Sequence, residues 1–140
     1  AAALAAGTPW PDPSADPRWP VRPDAVLLFN PMLDLSPGMP DHDLVGAQWR
    51  ALSPLQHVGP GMPPTMVQVG DADPEVAVAT VQRFCAAVRA QGARCDMVVH
   101  AGAGHGFFNP GVDGGRHVQP SLQQAEAFLR AVGFLPGPGR

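Results

Sequence analysis

Lysine, isoleucine and tyrosine are missing from this chain of 140 residues, and charge of either sign is scarce. Arginine therefore supplies all 9 of the Lys and Arg positions, against 12 Asp and Glu, for a formal net charge of −3. The arginines are scattered, so there is no basic field and no nucleic-acid partner is expected. No apolar run approaches the ~18 residues of a membrane-spanning helix, so no membrane partner is expected either. Charged residues make up only 15% of the chain while 45% is hydrophobic. That balance excludes a disordered tail, which needs low hydrophobicity and high charge. The missing residue types, beside abundant Ala, Arg and Pro, reflect codon usage rather than function. The length suits one domain, and a compact chain of this size buries roughly 68–70% of its unfolded surface.

The chain opens AAALAAG, starting at Ala1 rather than Met. That run has neither the charged region nor the long apolar region of a signal peptide. It reads as the tail of a helix, so the expectation is the C-terminal part of something longer, with the compartment left open. Gly and Pro number 16 and 18 and are unevenly spread. Residues 7–23 hold Pro9, Pro11, Pro13, Pro17, Pro20 and Pro23, which excludes a helix or central strand there. Residues 65–101 hold only Gly70, Pro74 and Gly92 and form the packed heart of the chain. The tail Pro136-Gly137-Pro138-Gly139-Arg140 reads as a frayed end.

Three short apolar runs predict buried strands: Ala25–Phe29, Thr65–Val69 and Cys95–His100. Continuous apolar runs, rather than strict alternation, suit strands covered on both faces of a parallel sheet. A helix is expected over about Glu75–Gln91, with Ala77, Val81, Phe84 and Val88 on one face, Pro74 in its first turn and Gly92 at its stop. A last helix is expected over about Val118–Val132, with a stripe of Leu122, Ala125, Leu129 and Val132. Residues 41–52 are expected to form a further short helix. Strand, helix, strand, helix implies crossover connections and a parallel sheet with flanking helices.

Ligands of such sheets bind beyond the carboxyl ends of the strands. The loops there read Gly70-Asp71-Ala72-Asp73-Pro74 and Ala101-Gly102-Ala103-Gly104-His105-Gly106-Phe107-Phe108. An acid follows one strand and a His follows the next, and adjacent strands lie only ~4.8 Å apart. A carboxylate accepting from the His Nδ1–H fixes the tautomer and leaves Nε2 free as a base. Asp73 has an alternative role as a helix cap, and His105 alone would be an ordinary loop histidine. Asp71-x-Asp73 is too short to specify a metal or sugar-nucleotide site. Gly102-x-Gly104-x-Gly106 lacks the immediately following helix of a phosphate loop. His100 and His105 make an unconvincing metal pair, because His100 ends a strand. Cys85 and Cys95 are expected as two buried thiols, with a helix-to-strand disulfide as the alternative. Met32, Leu33, Leu35, Met39 and Trp49 serve either as packing or as contacts to a ligand. Phe107 and Phe108 either anchor the His105 loop or wall a pocket, and Trp10 and Trp19 are expected to staple the Pro-rich stretch to the body.

Taken together, RPDAVLLFNPMLD (22–34), LSPLQHV (52–58), MPPTMVQVGDADPEV (62–76), RCDMVVHAGAGHGFFN (94–109) and AFLRAVGFLPG (127–137) carry a resemblance in their order and spacing. Over about 22–136 the chain resembles the C-terminal part of α/β-hydrolase-fold serine esterases, in the acetyl-esterase and prolyl-oligopeptidase-like branch. The resemblance implies the C-terminal half of a three-layer α/β sandwich. It places the end of the helix after the nucleophile at 1–6, a Pro-rich loop at 7–23, the last strands and helices at 24–135 and a frayed tail at 136–140. It implies Asp73 as triad acid and His105 as triad base, with Met32 and Phe107 as candidate substrate contacts. The family often has Thr where Asp71 stands and Pro where Ala77 stands, so Asp71 competes with Asp73 for His105.

The G-x-S-x-G of a nucleophile elbow does not occur, since serines stand only at 14, 36, 53 and 121. The nucleophile is therefore expected upstream. The resemblance implies Ser-His-Asp acyl transfer on a small-molecule ester, such as an acetylated sugar or another small carboxylic ester, with no metal or organic cofactor. A prolyl-oligopeptidase-like serine peptidase, or a non-catalytic relic or binding domain, are the alternatives. The 140 residues alone are expected to be inactive and poorly stable, with Ala25–Phe29 an open hydrophobic edge. Oligomeric state is not legible.

Overall fold

The computed structural model describes residue 6 and residues 22–137. The expected Pro-rich loop up to residue 21, with Trp10 and Trp19, lies outside the described residues, as do 1–5 and the last three residues of the tail. Ala6 is helical and buried against the core.

Strands β1 (Val26–Phe29), β2 (Thr65–Gly70) and β3 (Cys95–His100) form a parallel sheet in that order, each within one residue of its expected bounds. Val26 lies opposite Thr65, and Thr65 lies opposite Cys95. The far ends are level too, with Gly70 opposite His100, so the loops after β2 and β3 leave side by side. Every residue of β2 is buried, as its unbroken apolar run requires of a strand covered on both faces.

Alternation along β2 assigns the covering layers. Val67 and Val69 share the core with Val81, Phe84 and Val88 of helix α3 (Val78–Ala90). Gln68 points the other way, where its Nε2 donates to the Ser121 carbonyl at 2.9 Å in helix α4 (Val118–Ala131). Helix, sheet and helix are the three expected layers. Two short helical turns, α1 (His42–Val45) and α2 (Trp49–Leu52), lie in the connection between β1 and β2. They replace the single helix expected over 41–52, because Gly46 takes a positive φ of 49° and breaks the spiral. That connection is pinned by the Arg83–Asp34 ion pair at 3.0 Å and by Ser53 Oγ, which accepts from Leu35 N–H at 2.7 Å.

Three expectations are corrected. Helix α3 begins at Val78 rather than Glu75, because Ala77 is extended, at φ −70° and ψ 135°, and interrupts the helical spiral just before it. Pro74 thus precedes the helix, and Ala77 is exposed rather than part of its buried stripe. In α4 the buried residues are Ser121, Ala125 and Phe128, while Leu122 is 55% exposed. The Gln68 bond to Ser121 turns that side of the helix toward the sheet, about 100° from Leu122 on a 3.6-residue helix. Finally, Cys85 of α3 and Cys95 of β3 form a disulfide, with Cα atoms 5.3 Å apart, rather than a pair of free thiols.

The buried amide of Gln68 also settles the state of His100. Its NH2 is committed to Ser121, so its Oε1 accepts from His100 Nε2–H at 2.7 Å. Burial, and then the positive charge available on His117, lower the His100 pKa from its ordinary value. The unfolded chain therefore binds this proton more readily than the folded one. The stability involved is present above about pH 6.5, the ordinary histidine value, and is lost as pH falls toward the lower folded value. Thermal midpoints measured from pH 8 to 5 are expected to drop in that window, and to drop less in His100→Gln, which keeps a donor but no longer titrates. Closing the loop between Cys85 and Cys95 contributes about 3 kcal/mol on the chain-entropy account. Cys85→Ser with Cys95→Ser is expected to lower the thermal midpoint by on the order of 10 °C, read by circular dichroism.

Candidate active site

Two loops meet at the carboxyl edge of the sheet because their backbones are stitched together. Asp71 N–H donates to the His100 carbonyl at 3.2 Å and Ala72 N–H to the Ala103 carbonyl at 3.1 Å. The approach is so close that a Cβ on Gly70 would lie 2.0 Å from the Ala103 oxygen. No side chain larger than hydrogen fits there without moving the second loop.

Asp71 accepts from Gly102 N–H at 2.6 Å and so serves the loop–loop seam. Asp73 is the acid that meets the histidine. Its side chain is wholly buried, and its Oδ2 accepts from His105 Nδ1 at 3.0 Å. The other oxygen, Oδ1, accepts from Glu75 N–H at 2.8 Å and Val76 N–H at 3.0 Å. Capping and histidine pairing, read as alternatives in the sequence, coexist on one carboxylate, although the capped turn precedes α3. Asn30 Nδ2 is a further donor to Oδ2. Burial pushes the Asp73 carboxyl up, but these hydrogen bonds, led by the Glu75 and Val76 amides and followed by Asn30 and His105, outweigh it. The carboxyl is held below its ordinary pKa.

His105 is 39% exposed at its side chain, and its two nitrogens face different surroundings. With Asp73 accepting at Nδ1, the neutral ring carries its proton there, and Nε2 presents a lone pair. Nε2 lies 3.5 Å from Glu75 Oε2. A ring oriented this way can accept a proton from a hydroxyl and later return it. Gly106, at φ 72°, lets the chain turn back directly after the ring. Ser53 and Ser121 are buried and engaged in structural hydrogen bonds. Among the described residues no serine hydrogen-bonds to His105, and no group of three His, Cys, Asp or Glu is placed to hold a metal.

Phe107 does not wall a pocket. It is fully buried, stacked on His100 with ring centroids 4.4 Å apart and edge-on to Phe108, so it anchors the His105 loop. Phe108 packs against Phe29 of β1. Met32 is half-buried and lines a narrow cleft with Met39, Glu75 and Val76, beside the Asp73 turn. Leu33 and Leu35 are buried and act in packing. The residue missed in the sequence is Asn30. It follows β1 at φ 45°, is buried, and has an Oδ1 with no partner. Asn tolerates the left-handed region better than other non-glycine residues, and that preference was the available signal.

Residues 34–131 match the family model described as prolyl oligopeptidase family. No curated protein matches the chain. Among solved structures, the chain is similar to an esterase from the Planctomycetes species Thermogutta terrifontis with propionate bound. The two share 34% identity at a TM-score of 0.82, over 99% of this chain and 55% of that one. The native form of that esterase gives 32% identity and a TM-score of 0.84, over 99% and 53%. Thermogutta terrifontis esterase 2 phosphorylated by paraoxon gives 34% and 0.82, over 98% and 51%. The chain thus spans about half the length of these structures, and its fold is the corresponding part of an α/β-hydrolase.

The loop seam predicts a specific sensitivity. Gly70→Ala is expected to cost about 1–3 kcal/mol in denaturant unfolding, the usual cost of overpacking. It is also expected to weaken the downfield Nδ1–H signal of His105 in proton NMR, because the two loops separate.

Proposed function

We propose that this chain, which belongs to the prolyl oligopeptidase family, supplies the acid and the general base of a serine hydrolase that cleaves carboxylic esters. The observation that carries the reading is the buried Asp73 carboxylate accepting from Nδ1 of a half-exposed His105, at the carboxyl edge of a parallel sheet. Esterase rather than peptidase is favoured by the 34% identity to a propionate-bound esterase. Phosphorylation of that relative by paraoxon fits a nucleophile attacking an activated ester centre.

The geometry supports the following roles. His105 Nε2 removes the proton of a serine hydroxyl supplied from outside these 140 residues as that oxygen attacks the ester carbonyl. The resulting imidazolium gives the proton to the departing alcohol oxygen, leaving an acyl-serine. Water repeats the sequence and releases the acid. Asp73 holds the ring in its Nδ1–H tautomer and stabilises the imidazolium, a task suited to a carboxyl held in its charged form. Met32, beside the Asp73 turn, is positioned as a candidate contact for substrate.

In the intact protein, His105→Ala is expected to lower kcat on p-nitrophenyl acetate by on the order of 10^4–10^6, and Asp73→Asn by about 10^4. The 140-residue chain alone is expected to show no turnover. Undiminished turnover in His105→Ala, or His105-dependent turnover by the 140 residues themselves, overturns these assignments. Faster cleavage of a prolyl p-nitroanilide than of the ester would move the protein to the peptidase reading, which the family match favours. Intact protein inert on both substrates would leave the non-catalytic reading.

A further inference from the structure

Among the described residues Glu75 is the acid that meets Nε2 of His105, and its position is not accidental to the fold. Its backbone N–H is held by Asp73 Oδ1 at 2.8 Å, in the same turn that positions Asp73 for the histidine. The Glu75 carboxylate can therefore swing only within the reach of its own side chain, and it rests 3.5 Å from Nε2. Its neighbours are already engaged. Asp34 pairs with Arg83, Asp71 with Gly102 N–H, and Asp73 with His105. Among the described residues Glu75 has no arginine partner, and its side chain is 54% exposed.

We propose that Glu75 is a specificity-determining residue that favours esters whose alcohol part carries an alkylated ammonium group. The proposal rests on the reading of His105 as general base. In that reading the Nε2 proton passes to the alcohol oxygen as the acyl C–O bond breaks, so this oxygen comes within about 3 Å of Nε2. The alcohol oxygen and the Glu75 carboxylate then share the surroundings of Nε2, so a substituent on the alcohol comes within reach of that carboxylate. A positive centre two carbons beyond the oxygen lies on the order of 5 Å from it. Coulomb attraction at that range, between water-like and protein-surface dielectric and reduced for exposure and salt, amounts to about a 3- to 10-fold preference.

The lining beside Glu75 selects the kind of cation. Pro31, Met32, Met39 and Pro40 line the same cleft as Glu75, together with Thr80 and with Asp34, which is paired with Arg83. A bare ammonium loses strong hydration against such a surface, whereas methylated nitrogen presents an apolar periphery to it. The cleft interior offers only about 10 Å³, room for about one water, so the head group rests at its mouth.

The test uses the intact protein and two acetate esters of matched shape, acetylcholine and 3,3-dimethylbutyl acetate, in which carbon replaces the charged nitrogen. Wild type is expected to prefer the cationic ester in kcat/KM. Glu75→Gln is expected to lower that preference about 3- to 10-fold, with a smaller change at high salt. Tetramethylammonium is expected to inhibit p-nitrophenyl acetate hydrolysis more weakly in the variant. A merely structural role would move both esters together. His105-dependent hydrolysis with the ester ratio and the tetramethylammonium inhibition unchanged in Glu75→Gln overturns the proposal while leaving the catalytic reading intact. Hydrolysis that survives His105→Ala removes the catalytic reading itself.

Discussion

A buried carboxylate has to be met by donors, and the arrangement around Asp73 shows how much of this fold depends on meeting it. The donors come from three separate pieces of chain: Asn30 at the end of β1, the turn leading into α3, and His105 beyond β3. Burial by itself would drive the group toward its neutral acid, and the donors reverse that tendency. Because each donor sits past the end of a different strand, the parallel register is what brings them to one point. The seam at Gly70 and Ala103 then holds the ends of β2 and β3 at a separation that no bulkier residue permits.

His100 and His105 stand five positions apart on the same chain and do opposite work. His100 lies under Phe107, donates from Nε2 to Gln68, and links β2, β3 and α4 into one unit. His105 receives its orientation at Nδ1 and leaves Nε2 toward the open side. The tautomers are opposite because the acceptors are: an amide oxygen inside the sheet, a carboxylate beyond its edge. The fully buried Phe107 joins the two, since packing on His100 fixes the loop from which His105 projects.

Strands were the most legible part of the sequence, because a run such as Thr65–Val69 can be apolar throughout only if both faces are covered. The pairing of Asp73 with His105 was legible for a related reason: two loops that follow neighbouring parallel strands must emerge together. What escaped was decided by local backbone turns and side-chain bonds that leave no periodic trace. The later start of α3 depends on the extended backbone at Ala77, and the rotated face of α4 depends on Gln68 reaching Ser121. Asn30 escaped because its role needs a partner 43 positions away. The Cys85–Cys95 bond was open in the sequence, since a helix residue and a strand residue ten apart meet only if the helix packs back on that strand.

Asn30 also has a neighbour that matters for the chemical ageing of the protein. An asparagine amide is lost over time when the next backbone nitrogen attacks the side chain, which requires an N–H on the following residue. That residue is Pro31, which has none. Conversion of Asn30 to an acid would set a second carboxylate against Asp73, at the place where its amide donates. The proline following the strand therefore closes the main route by which slow hydrolysis could turn this buried donor into a second carboxylate facing Asp73.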